Sequence, residues 1–172
     1  AGIVESKRGI AVDENFETSV KGVYAIGDVN GISQLAHVAK FQGKCALAHI
    51  MKEPSMVDFN VVPAVVFTMP ELAMAGLTEE ECKTGGIAFK THKAFYRANG
   101  KAVVSGETDG LVKILTSAEG KILGAHILGG HASDLIHEVV MAMHFSGCIR
   151  DINDVIHAHP TLSELILDAS EN

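Results

Sequence analysis

Gly110-Leu-Val-Lys-Ile-Leu-Thr-Ser-Ala-Glu-Gly-Lys-Ile-Leu-Gly-Ala-His-Ile-Leu128 holds two apolar runs, residues 110–116 and 122–128, parted by Glu119-Gly120. Short runs of large aliphatic residues read as strands, and a polar gap ending in Gly reads as the turn of a hairpin. Toward the N-terminus, residues 88–95 and 102–106 read as further strands, with Asp109-Gly110 as a second turn. Val61-Val-Pro-Ala-Val-Val-Phe67 reads as another. Thr78-Glu-Glu-Glu81 has the form of a capping box, in which Thr78 accepts at the Glu81 N–H and Glu81 reaches back, so a short helix opens there. Toward the C-terminus, Leu135, Ile136, Val139, Val140 and Met143 form the stripe of a long helix, capped by Ser133 or Asp134 and ended by Gly147. A short helix over residues 151–156 and a last one from Pro160 or Thr161 follow. Strands first and helices last predict an α+β domain over residues 58–172, an antiparallel sheet with helices on one face.

Residues 1–57 read differently. Gly9-Ile-Ala-Val-Asp13 has a short strand pattern, Glu14-Asn15 a turn, and Glu17-Thr-Ser19 an extended form. Gly22-Val-Tyr-Ala-Ile-Gly27 is an apolar run bounded by glycines, which suits a buried parallel strand. Asp28 follows it. Leu35, Val38, Ala39, Ala46, Leu47, Ile50 and Met51 then recur at helical spacing. Strand, acidic loop and helix make half of an α/β unit. With no Gly-x-Gly-x-x-Gly in the chain, this piece is expected to belong to a domain whose remainder is absent.

Composition narrows the function. The 172 residues are 47% hydrophobic and 20% charged, ordinary for a soluble globular protein, and a net charge of −7 argues against nucleic acid. No run approaches the ~20 apolar residues of a membrane span, and the N-terminus shows no signal-peptide core. Cys45, Cys82 and Cys148 have neither redox nor metal spacing, so they are expected as reduced thiols of a cytoplasmic protein. His137-Glu138 begins a His-Glu-x-x-His zinc motif, but Met141 takes the second ligand's place, and no metal is expected.

His157-Ala-His-Pro-Thr-Leu-Ser-Glu164 is the stretch richest in chemistry. Glu164 falls in the first turn of a helix, where the dipole favours a carboxylate, and can fold back onto His159. A carboxylate on one ring nitrogen fixes the tautomer, stabilises the imidazolium and leaves the other nitrogen as a base for a thiol or hydroxyl. The same residues also suit plain helix capping.

The wording of this stretch closely resembles the C-terminal active-site motif of the dihydrolipoamide dehydrogenases, which are flavin-dependent disulfide oxidoreductases. Other motifs resemble that family in its own order. Val23-Tyr-Ala-Ile-Gly-Asp28 resembles its second flavin-binding motif, and Leu35-Ala-His37 the helix start along the isoalloxazine ring. Val62-Pro-Ala-Val-Val-Phe-Thr-Met-Pro-Glu71 and Gly76-Leu-Thr-Glu79 resemble the opening of its dimerisation domain, and Gly124-Ala-His-Ile-Leu-Gly129 its last strand. The resemblance implies that residues 1–57 are the tail of a nicotinamide domain and the closing segment of a FAD domain, and residues 58–172 the dimerisation domain. It implies FAD contacts at Gly27, Asp28, Gln34, Leu35, Ala36 and His37, with FAD and NAD serving the full-length parent. It implies that His159 deprotonates a dihydrolipoamide thiol, that Glu164 orients it, that His157 supports the pair, and that the His159–Pro160 peptide is cis. The pair would act on the disulfide of the other subunit of a homodimer. The lipoyl group would belong to a 2-oxoacid dehydrogenase or glycine cleavage complex.

The redox Cys-x-x-x-x-Cys pair and both glycine-rich nucleotide fingerprints are missing. By itself the chain is therefore expected to bind little or no FAD and to be inactive. Gln42 stands where the family commonly has Glu, and Phe67 and Met69 where Tyr and a polar residue are more usual. Glutathione-reductase-like, mercuric-reductase-like and soluble transhydrogenase readings fit the wording of the C-terminal motif less well. A non-catalytic dimerisation module is the alternative from another class.

Overall fold

A computed structural model describes residues 2–55 and 57–172. The chain divides into two compact units, residues 1–59 and 60–172.

The second unit is built on five strands: β1 (Ala64–Val66), β2 (Glu71–Gly76), β3 (Lys90–Phe95), β4 (Leu111–Thr116) and β5 (Ile122–Gly129). Their order is β1-β2-β5-β4-β3, and every neighbouring pair is antiparallel. Register decides which side chains share a face. Val65, Ala73, Ile127, Val112 and Ala94 lie opposite one another across the sheet, as do Ala75, Ala125 and Ile114. These form the inner face, apart from partly buried Val65 fully or almost fully buried. Successive residues point to opposite faces. Leu72, Leu128, Leu111 and Phe95 therefore make an outer row, of which Leu128 and Phe95 are about two-fifths exposed.

Helix α4 (Ala132–His144) and helix α6 (Glu164–Glu171) cover the inner face. Leu135, Ile136 and Val139 of α4 and Leu165, Ile166 and Ala169 of α6 complete one apolar core with Tyr96 and Ala102. The α+β architecture with helices on one face is therefore present. Helix α5 (Ile149–Asn153) packs on both α4 and α6.

Several local expectations change. Residues 102–106 are not a strand but the end of a helix, α3 (Gly100–Ser105). Asn99 caps it by accepting from the Ala102 N–H at 3.0 Å, which outweighs the β preference of Val103 and Val104, both largely exposed. Asp109-Gly110 accordingly leads from that helix into β4 and is no hairpin turn. Strand β2 was not foreseen: Glu-Leu-Ala-Met-Ala-Gly has no β-branched residue, and its small side chains are selected by the close approach of α4. Neither Ser133 nor Asp134 caps α4. The carboxylate of Glu71, from β2, accepts from the Ser133 N–H at 2.9 Å instead. The helix stops at His144, before Gly147, with Ser146 in the left-handed region at φ 55°. The short helix lies over Ile149–Asn153, and the last begins at Glu164.

The capping box is as read: α2 (Glu79–Thr84) opens with Thr78 accepting from the Glu81 N–H and Glu81 accepting from the Thr78 N–H.

In the first unit, residues 9–13 and 17–18 make only isolated bridges, to Glu5, to one another and to Tyr24. Residues 22–27 form no parallel strand: Tyr24 makes one antiparallel bridge to Glu17, and no parallel neighbour exists among the described residues. Gly27–Asn30 is a 3-10 turn, and α1 (Ala36–Met51) is the helix expected from the 3.6-residue spacing. Val38, Cys45 and Ala46 bury its inner side.

Candidate active site

The stretch from His157 to Glu164 leaves α5 and enters α6, so its geometry is set by helices at both ends. Asn99, 3% exposed, serves two elements at once. Its carbonyl oxygen caps α3, and its amide donates to the Thr161 carbonyl at 3.1 Å. Thr161 in turn donates its hydroxyl to the Ala158 carbonyl at 2.7 Å. The His159–Pro160 peptide is cis, as expected, and so is Met69–Pro70.

His159 and Glu164 meet. Glu164 Oε1 lies 2.8 Å from His159 Nδ1, while its Oε2 accepts from the Thr161 N–H at 2.8 Å. Both carboxylate oxygens are thus committed, and the Glu164 side chain is only 21% exposed. The Thr161 N–H, followed by the His159 ring, holds the Glu164 carboxyl below its ordinary value. His159 itself is 76% exposed, and its Nε2 has no protein partner among the described residues. An imidazole fixed at Nδ1 by a carboxylate, with Nε2 open to solvent, can take a proton from an approaching thiol or hydroxyl.

Glu164 also sets a pH dependence. A carboxyl lowered in the fold contributes stability above its unfolded value, and that contribution fades as pH falls through the folded value. The stability lost in Glu164→Gln relative to the parent chain should therefore be full above about pH 5 and shrink toward about pH 3. Urea midpoints at a series of pH values check this; a difference that grows as pH falls from about 5 to about 3 would contradict it.

A second imidazole lies in the same stretch. His157 Nε2 is 2.7 Å from Glu138 Oε1 of α4, and Nδ1 is 2.8 Å from the Val155 carbonyl. Its side chain is 4% exposed. Sequence reading missed Glu138, which is 19 residues away with no local signal to point to it.

In the first unit, Gly27 is buried and its N–H donates to Gln42 Oε1 at 2.7 Å, which ties the turn to α1. Gln42 also accepts from the Asn30 amide at 2.9 Å and is 1% exposed. Asp28, Gln34, Ala36 and His37 are exposed and Leu35 is half-buried. Helix α1 has no side-chain cap at its start, where the helix dipole places partial positive charge. Ile26, Val29 and Ile32 expose apolar surface next to Asp28 in sequence. An accessible carboxylate, an uncapped helix start and apolar neighbours fit a ligand with hydroxyls and an aromatic ring, as FAD has.

Cys45, Cys82 and Cys148 are free, and Cys45 Sγ lies 2.9 Å from the Ser55 hydroxyl. Among the described residues, no three His, Cys, Asp or Glu side chains gather in a way that could hold a metal ion. None of the helices described is long and apolar enough to cross a membrane.

Residues 62–170 match the family described as pyridine nucleotide-disulphide oxidoreductase, dimerisation domain. The chain belongs to this family. Residues 1–43 match a second model, described as pyridine nucleotide-disulphide oxidoreductase. Dihydrolipoyl dehydrogenase 2, mitochondrial, of Arabidopsis thaliana is 44% identical over 170 residues, covering 97% of this chain and 34% of that protein. The dihydrolipoyl dehydrogenase of Bacillus subtilis is 42% identical over 172 residues, covering 99% of this chain and 37% of that protein. Among solved structures, the HOCl-induced flavoprotein disulfide reductase RclA from Escherichia coli superposes with a TM-score of 0.92 at 26% identity, covering 99% of this chain and 40% of that one. The chain thus spans little more than a third of the length of these relatives.

Proposed function

We propose that this chain is the C-terminal portion of a dihydrolipoyl dehydrogenase, in which His159 is the base toward dihydrolipoamide and Glu164 orients it. The observation that carries this reading is the exposed His159 ring, fixed at Nδ1 by Glu164 at 2.8 Å and open at Nε2. In the reaction, a dihydrolipoamide thiol gives its proton to His159 Nε2. The thiolate then attacks one sulfur of a redox disulfide, forming a mixed disulfide and releasing the second sulfur as thiolate. Glu164 balances the charge that His159 gains. When bound, FAD supplies the redox relay between the dithiol couple and NAD⁺.

The same reading assigns residues 1–57 to the tail of the nicotinamide domain and the close of the FAD domain, and residues 58–172 to the dimerisation domain. Asp28 and the backbone of Gly27, Gln34, Leu35, Ala36 and His37 would hold the flavin. The enzyme would be a homodimer, with the His159–Glu164 pair serving the partner's disulfide. The outer row of half-buried Leu72 and Leu111 with partly exposed Leu128 and Phe95 supports pairing, since apolar faces of this kind mark interaction surfaces. The lipoyl substrate would come from a 2-oxoacid dehydrogenase or glycine cleavage complex, in the cytoplasm.

The test is a chimera: this 172-residue chain in place of the matching segment of the Bacillus subtilis dihydrolipoyl dehydrogenase. It is expected to bind FAD, to dimerise and to oxidise dihydrolipoamide with NAD⁺. A flavin-loaded, dimeric chimera without turnover would defeat the reading.

A further inference from the structure

The two imidazoles of residues 157–159 are held in opposite ways. His159 uses one nitrogen and exposes the other. His157 faces an acceptor at both nitrogens: a backbone carbonyl at Nδ1 and a carboxylate at Nε2. A carbonyl can only accept, so Nδ1 carries a proton. A carboxylate 2.7 Å from Nε2 in a nearly buried site favours a second proton on the ring. A neutral ring would leave one of these contacts without a hydrogen.

We infer that Glu138 and the Val155 carbonyl hold His157 as an imidazolium at neutral pH, and that Glu138 is thereby a positioning residue for the His159–Glu164 pair. The inference rests on the proposed role of that pair. Burial alone would push the His157 ring down, but the bonds to Glu138 and Val155, with the charges of Glu138 and Glu164, raise it overall. The groups facing it are Glu138 of α4 and Glu164 and Asp168 of α6. Asp168 is pushed up by burial and then by Glu164 and Glu171, and pulled down by His157. Glu164 feels both imidazoles. With His157 charged, Glu164 divides its attraction between a fixed cation and the ring that exchanges protons. The fixed cation opposes a second positive charge close by, so it favours the unprotonated, base-competent form of His159.

Ring ¹⁵N spectra of the 172-residue chain read the charge directly. At about pH 7.5, both His157 nitrogens should be protonated, whereas an ordinary imidazole is mostly neutral there. Glu138→Gln should lower the His157 midpoint by about one pH unit or more. A His157 ring with one bare nitrogen at that pH in the parent chain would overturn the inference without any variant being needed. In the chimera, Glu138→Gln should move the acid limb of kcat/KM to higher pH by about half a unit. A uniform fall in rate with an unmoved limb would mean that Glu138 only supports the fold, and would overturn its positioning role. The ring charge is measured without turnover, so it stands apart from the test of His159 as base.

Discussion

His159→Gln in the chimera is expected to lower kcat for dihydrolipoamide oxidation by about 100- to 10,000-fold, the usual contribution of a positioned general base. Flavin content and dimer mass should not change. His159 is 76% exposed and its single side-chain bond is to Glu164, so little packing is lost with the ring. Gln keeps polarity and approximate volume but cannot take the thiol proton at neutral pH. Stopped-flow reduction of the bound flavin by dihydrolipoamide isolates the affected half-reaction, while reduction by NADH should stay near the parent rate. A loss of less than about tenfold in the first would remove His159 from the role of base.

Gly124→Ala should destabilise the second unit by about 3 kcal/mol, at the upper end of the overpacking range. Gly124 lies in β5 opposite Gly76, and a Cβ there would fall 2.1 Å from the Leu77 carbonyl oxygen and 2.8 Å from the Leu77 nitrogen. Both obstacles are backbone, and Leu77 is bonded back through its N–H to the Leu123 carbonyl at 2.9 Å. No side chain can swing aside to make room, so the strand pair itself has to shift. Guanidinium unfolding of the chain followed by far-UV circular dichroism measures the cost. A midpoint equal to that of the parent chain would show that the β2–β5 corner yields freely. Gly86, with nothing within 4 Å of its added Cβ, shows that a glycine in this chain need not stand at a close approach.

The legible parts of this molecule are those whose physics is local. The spacing of Val38, Ala46 and Ile50 predicted α1, and that of Leu135, Ile136 and Val139 predicted α4, because an amphipathic helix writes its own period. The Ile114 and Ile127 runs predicted β4 and β5, with Glu119-Gly120 between them. Thr78 and Glu81 predicted their reciprocal bonds because three residues of helix bring them together whatever surrounds them. The His159–Glu164 pair was legible for the same reason: five residues and one helix start place both groups.

What the sequence could not show depends on residues far apart along the chain. Val103 and Val104 read as strand, but Asn99 and its bond to Thr161, 62 residues on, make that segment a helix end. Ala73 and Ala75 carry no strand signal, yet they are small because α4 lies against them. Glu71 caps α4 from 62 residues away. The resemblance named His159 as base and His157 as its support, but no residue within the motif holds the His157 ring. Glu138 does, by crossing from α4 to fill the second nitrogen of one ring while the other stays open. By itself the sequence determined α1, α2, α4 and the β4–β5 pair, and that an imidazole and a carboxylate meet near the end of the chain, since these follow from spacing over a few residues. The tertiary structure decided which glycines must stay glycine, what caps α4, and what holds the His157 ring, since each depends on a backbone or carboxylate delivered from another element.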